Sequence, residues 1–176
     1  EINNDEYNGL NILQQNISRV GALDLGFYNN IFDNSLESGV QKHVSKNKPV
    51  VFLLGLDDID FSILKDSFVV YIGHHGDSGA QIADIVLPSP AFSERTSTFV
   101  NMEGRVLQTT KCFNPIGESK EEWKVFRSLS DKFNTNIKFD NLTNLRKEIV
   151  SKFNFLQQLN VLPLVTNTNI FSSHEV

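Results

Sequence analysis

The chain has 176 residues, 40% of them hydrophobic and 21% charged, with a formal net charge of -5. That length suits one domain, and the balance excludes a disordered polymer. The acidic charge argues against non-specific nucleic-acid binding, which draws its affinity from Lys and Arg on phosphates. The lone cysteine, Cys112, excludes an intrachain disulfide, a CxxC redox pair and any all-cysteine zinc or iron–sulfur site made by this chain alone. The longest aliphatic run, Val50 to Leu54, is far shorter than the roughly 20 residues of a bilayer crossing, so no membrane span is expected. Residue 1 is Glu and the single methionine is Met102, as in a processed product, a split-gene product or a piece of a longer subunit. The acidic, Asn-rich start, Glu1 to Glu6, has neither the basic nor the apolar region of a signal or transit peptide.

Leu10, Leu13, Ile17 and Val20 recur at helical spacing and predict a helix from Gly9 to Val20, ending near Gly21 or Gly26. A second short helix is expected at Ser35 to His43, and Lys46 to Pro49 reads as a connection. Val50 to Gly55 is an uninterrupted apolar run between Pro and Gly, the pattern of a parallel strand covered on both faces. Phe68 to Gly73 and Ile85 to Pro88 predict two more strands, separated by short helical turns at Asp60 to Asp66 and Gly79 to Ala83. Strand, short crossover, strand is the rhythm of a doubly wound sheet with right-handed connections.

Gly104 lies between the extended arms Phe99 to Met102 and Arg105 to Leu107 and predicts a hairpin or bulged turn. Ser119, with Glu122 three residues on, reads as a capping box opening a helix whose stripe is Trp123, Phe126, Leu129 and Phe133. Thr143 to Phe153 predicts a last helix, and from Asn160 the chain reads as an extended tail. The organisation expected is an α/β domain over 1–140, a partial doubly wound, mainly parallel sheet with a β-hairpin and flanking helices, followed over 141–176 by a C-terminal helix and docking tail.

His74 and His75 stand at the carboxyl end of a strand with Asp77 and Asp84 nearby, where α/β folds carry their sites. Adjacent residues on an extended segment point to opposite faces, so turn or interface packing is expected of the pair rather than a metal site or a base. Gly73, Gly76 and Gly79 resemble a phosphate loop, but the spacing is not the dinucleotide fingerprint and Asp77 brings negative charge. Glycines required for backbone conformation and close packing are the expectation. Ser89, Ser93 and Ser97 lack a nucleophile-elbow frame. Cys112 is expected to be a small buried hydrophobe, and Trp123 to be core.

Together Val51-Phe52-Leu53-Leu54-Gly55, Gly73-His74-His75-Gly76-Asp77 with Gly79-Ala80, Ile82-Ala83-Asp84-Ile85-Val86-Leu87-Pro88 and Phe99-Val100-Asn101 with Glu103-Gly104-Arg105-Val106 look like one family. They resemble the C-terminal part of the large 75 kDa-type iron–sulfur subunit of NADH:ubiquinone oxidoreductase, respiratory complex I. Ala22-Leu23-Asp24-Leu25-Gly26 and Glu122-Trp123-Lys124 add to the match, which runs over roughly residues 12 to 133 in order and spacing. The Ala-Asp-Ile-Val-Leu-Pro and Val-Asn-x-Glu-Gly-Arg segments are shared with molybdopterin oxidoreductases at large, and Gly-His-His-Gly-Asp tilts the choice toward complex I.

The resemblance implies a molybdopterin-oxidoreductase-like α/β domain that serves structurally in the peripheral arm, with no catalytic, cofactor-binding or metal residue of its own. Gly73, His74, His75, Gly76, Asp77, Gly79, Asp84, Pro88, Asn101, Glu103, Gly104 and Arg105 are then structural motif residues. The partners expected are other peripheral-arm subunits of complex I, especially the cysteine-rich N-terminal part of the same iron–sulfur subunit, with iron–sulfur clusters and FMN in such partner segments, at the matrix side of the mitochondrial inner membrane rather than at a bacterial cytoplasmic membrane. The Asn- and Phe-rich composition, with 14 Phe, fits an AT-rich mitochondrial gene carrying the subunit as split pieces. The alternatives are a fragment of a formate-dehydrogenase-like pterin enzyme whose glycine loop contacts the cofactor, and a binding module using that loop as a small-ligand site.

Overall fold

A computed structural model describes residues 12–27, 48–135 and 137–161. Three strands, β1 (Val50–Leu54), β2 (Phe68–Gly73) and β3 (Ile85–Pro88), form a parallel sheet in the order β1-β2-β3. A 3-10 turn at Phe61–Leu64 lies in the first crossover and a short helix, α2 (Ser78–Ile82), in the second. Both turns were legible from the sequence. Along the strands, alternate side chains fall on opposite faces. Val51, Leu53, Val69 and Tyr71 share one face and form the core with Leu64, Phe61, Ile63, Ala80 and Ala83 from the two crossovers.

Against the other face lies α3 (Glu122–Lys132), whose Phe126 ring meets Phe52 edge-on at 5.2 Å. Val70 and Ile72 are buried in the middle of the sheet. Only the central strand fits the expectation of cover on both faces. In β1 just Leu53 is buried, and Val50 and Leu54 are 58% and 52% exposed. The sheet stops at β1 among the described residues, so the strand lacks the neighbour its apolar sequence anticipates.

The hairpin is formed by β4 (Thr98–Val100) and β5 (Val106–Gln108), paired antiparallel. Val106 also bridges Leu159 in parallel, and the Asn160 N–H donates to the Val106 carbonyl at 2.7 Å. The last described residues thus dock beside β5. Against β4 packs α1 (Arg19–Asp24), where Gly21 lies against Val100. This helix starts later than its apolar stripe predicts: residues 12–18 are not helical, and Leu13 and Ile17 are 84% and 73% exposed. With none of the described residues covering those side chains, spacing alone does not sustain a helix. Its end is as expected, because Gly26 at φ +72° closes a Schellman motif: Phe27 N–H donates to the Ala22 carbonyl and Gly26 N–H to Leu23.

The capping box at Ser119 does not form. Gly117, at φ +60°, turns the chain, the Ser119 hydroxyl donates to the Ile116 carbonyl at 2.9 Å, and α3 begins only at Glu122 with no side-chain cap. The helix itself and its stripe stand, except that Phe133 lies past the last turn and is exposed. Trp123 is half-buried rather than core, its indole N–H donating to Glu121 at 3.1 Å while the Lys124 ammonium sits over the ring. The last helix, α4 (Leu142–Lys152), lies within one residue of its expected bounds, and Asn141 caps it by accepting the Asn144 N–H at 2.8 Å. The helix expected at Ser35 to His43 and the tail beyond Val161 lie outside the described residues. Among the described residues no helix is long and apolar enough to cross a membrane.

Candidate functional site

The glycine loop at the end of β2 is where the chain would carry chemistry if it did. From Gly73 the backbone bends through His74 and His75 and enters α2 at Ser78. The two imidazoles do not point apart: their ring centroids are 4.3 Å apart at 46°, because the residues sit in a bend and not on an extended strand. Both are exposed, and no cluster of three or more potential metal ligands exists among the described residues.

The organising group of this loop is Asp57, which follows β1. One carboxylate oxygen accepts the backbone N–H of Gly79 at 2.8 Å and the other accepts the Tyr71 hydroxyl at 2.9 Å. Asp57 therefore occupies the first turn of α2, the position a phosphate takes in a nucleotide-binding glycine loop. Asp77, the N-cap of α2, makes no side-chain cap of its own. Burial, followed by the bond to Asp57 and the negative charge of Asp57 and Asp77, pushes the Tyr71 phenol up to about 12.

The glycines serve that tyrosine. A Cβ on Gly79 would fall 2.5 Å from the Leu56 carbonyl oxygen and 2.8 Å from the Tyr71 ring, and one on Gly73 would collide with the same ring. Neither has a positive φ, so close packing is the reason and backbone conformation is not. Gly76 meets nothing within 4 Å. Asp57 and Tyr71 are the residues that motif reasoning passed over. The available signals were a carboxylate just after a strand's carboxyl end and one hydroxyl-bearing ring in an apolar strand.

The remaining motif residues have structural partners too. Asp84 accepts the Val69 N–H at 2.7 Å and donates its own N–H to the Val69 carbonyl at 2.9 Å, pinning β3 against β2. Pro88 ends β3 opposite Gly73, and its carbonyl accepts the Lys120 N–H. Asn101 Oδ1 accepts the N–H groups of Glu103 at 3.0 Å and Arg105 at 2.9 Å. Gly104, at φ +78°, donates to the Asn101 carbonyl. This is a three-residue hairpin loop in which only glycine takes the left-handed position without strain. Arg105 reaches Asn160 Oδ1 at 3.3 Å and so ties the hairpin to the docked end of the chain.

Ser89 is buried and donates its N–H to the Gly73 carbonyl, the Ser93 carbonyl accepts from Cys112 and Phe113, and the Ser97 N–H donates to Thr109. Cys112 is exposed, not buried, because it sits in the irregular segment after β5, with Sγ near the Thr110 carbonyl.

The model of the molybdopterin oxidoreductase family matches residues 1–132. The chain belongs to that family. Its relatives bear out the likeness read from the motifs. It is 43% identical over 145 residues to the mitochondrial NADH-ubiquinone oxidoreductase 78 kDa subunit of Candida albicans, covering 82% of this chain and 19% of that one. Against the NADH-ubiquinone oxidoreductase 75 kDa subunit of Reclinomonas americana identity is 38% over 167 residues, covering 92% and 23%. An NADH-quinone oxidoreductase subunit of Rickettsia felis is 36% identical over 149 residues, covering 85% and 20%. The chain spans about a fifth of the length of these curated relatives.

Family membership implies a pterin cofactor, and the glycine loop of this member does not fit one. A diphosphate there would need the Gly79 N–H, which Asp57 already holds, and would meet the carboxylates of Asp57 and Asp77.

Proposed function

We propose that this chain is a non-catalytic structural domain of the peripheral arm of NADH:ubiquinone oxidoreductase, on the matrix side of the mitochondrial inner membrane. Its partner is the cysteine-rich part of the same large subunit, which carries the iron–sulfur clusters, with FMN in a neighbouring subunit. The contribution of the chain is packing: electron tunnelling depends on fixed distances, and a rigid domain holds cluster-bearing segments in place. The observation that carries this reading is the Asp57 carboxylate seated on the Gly79 N–H and the Tyr71 hydroxyl. It turns the family's glycine loop into a closed internal contact.

The test is metal and flavin analysis of the purified chain, with NADH oxidation assayed alongside. We expect no stoichiometric iron, flavin or nicotinamide and no NADH oxidation. Bound iron or flavin would overturn the scaffold reading. The family match favours a second reading, a pterin-enzyme fragment, which requires molybdenum or tungsten in the active assembly, and elemental analysis that finds neither removes it.

A further inference from the structure

We infer that the outer edge of β1 receives a further β-strand, supplied by the part of the complex I large subunit that lies outside this chain. The inference rests on the function proposed above. The direction of each β1 peptide group follows from the ladder. Phe68 N–H donates to the Pro49 carbonyl at 2.9 Å and Gly55 N–H to the Ile72 carbonyl at 2.8 Å, with Val50 opposite Phe68 and Leu54 opposite Ile72. Peptide groups alternate along a strand, so Val51 and Leu53 face β2 while Val50, Phe52 and Leu54 turn their N–H and C=O groups to the open side.

No strand pairs with that side among the described residues. The strand itself carries none of the usual protections of an edge. It reads Val-Val-Phe-Leu-Leu, without a charge, a proline or a bulge, and Val50 and Leu54 are 58% and 52% exposed at its two ends. Lone edge strands are normally short, charged or interrupted by proline. The opposite edge strand, β3, is also apolar, with Ile85 and Val86 43% and 52% exposed, but it has four residues, ends in Pro88, and the Pro88 carbonyl already accepts the Lys120 N–H. Parallel sheets are also buried on both faces and usually have five or six strands, whereas this one has three among the described residues. The relatives supply the missing length, since the matched region is 19% to 23% of theirs.

Amide hydrogen exchange in the assembled complex, resolved residue by residue, reads this directly, with Val51 and Leu53 as the internal reference. We expect Phe52 and Leu54 to be protected on entering the assembly, with exchange slowed at least about tenfold toward the rate of their inward-facing neighbours. Fast exchange at Phe52 and Leu54 in an assembly that contains the chain would overturn the strand addition while leaving the proposed function intact. Protection of both before assembly would overturn it in favour of a segment of this chain. Failure of the chain to enter the assembly at all would remove both readings.

Leu54→Pro deletes an outward N–H that β1 and β2 do not use. It should cut incorporation at least about tenfold, as should Leu54→Lys, while Leu54→Ala retains the N–H and should incorporate nearly normally. Equal incorporation of all three variants would contradict strand addition, and protection of Val51 and Leu53 in each reports whether the sheet itself still folds.

Discussion

At the scale of single residues, the loop after β2 depends on one carboxylate. Asp57 satisfies two donors at once, a helix N–H and the hydroxyl of a tyrosine that is 1% exposed. Removing it leaves both without an acceptor, so Asp57→Ala should lower stability by about 2 kcal/mol, read as a shift in the urea midpoint, whereas Tyr71→Phe should cost about 1 kcal/mol. The tyrosine also predicts an alkaline limit. Its phenol ionises near 10.0 in the unfolded chain and near 12 in the fold, so the unfolded state loses its proton first. Stability should therefore be intact below about pH 10 and fall as pH rises toward 12. In Tyr71→Phe that slope should shrink, and an unchanged slope would mean that another group governs alkaline unfolding. Gly79→Ala tests the packing role of the glycine, because the new methyl meets the Leu56 carbonyl and the Tyr71 ring and should cost about 1–3 kcal/mol.

At the scale of elements, the helices separate what local signals decide from what they do not. Ser119 and Glu122 have capping-box spacing, yet the Ser119 hydroxyl closes a turn on Ile116 before the helix starts. Asn141 carries no such pattern and does cap α4. Ser119→Ala should change stability by less than about 0.5 kcal/mol and Asn141→Ala should cost about 1 kcal/mol, a contrast that thermal unfolding of the two variants will display. The difference is one of position: a side chain caps only from the residue where the backbone enters the helix, and Gly117 moves that entry two residues on. The strands were legible because an apolar run between Pro and Gly has few other uses. The α1 stripe misleads because Leu13 and Ile17 pack on no surface among the described residues, and an unpacked stripe is a pattern without an energy.

At the scale of the whole molecule, one face of the sheet is covered by its own crossovers and the other meets α3 through Phe126 on Phe52. Phe126→Ala should remove about 2 kcal/mol by opening a gap at this half-buried contact, and it should raise exchange in β1 and α3 together. If exchange rose in α3 alone, the helix would not be what covers the sheet. Beside the hairpin layer lies an open pocket of about 300 Å³ lined by Gly21, Leu25, Val100, Ile149 and Leu159.

The sequence alone determined the α/β class, the three parallel strands, the hairpin, both C-terminal helices and the family, because these rest on local apolar runs, turn residues and motif order along the chain. Two further facts were decided only by the tertiary structure. The glycine loop is closed by Asp57, a residue 22 positions before the N–H it holds, and among the described residues β1 is an edge and not a covered strand. Neither fact is local: a carboxylate's partner and a strand's missing neighbour are set by how distant segments come together, and periodicity along the chain contains no term for either.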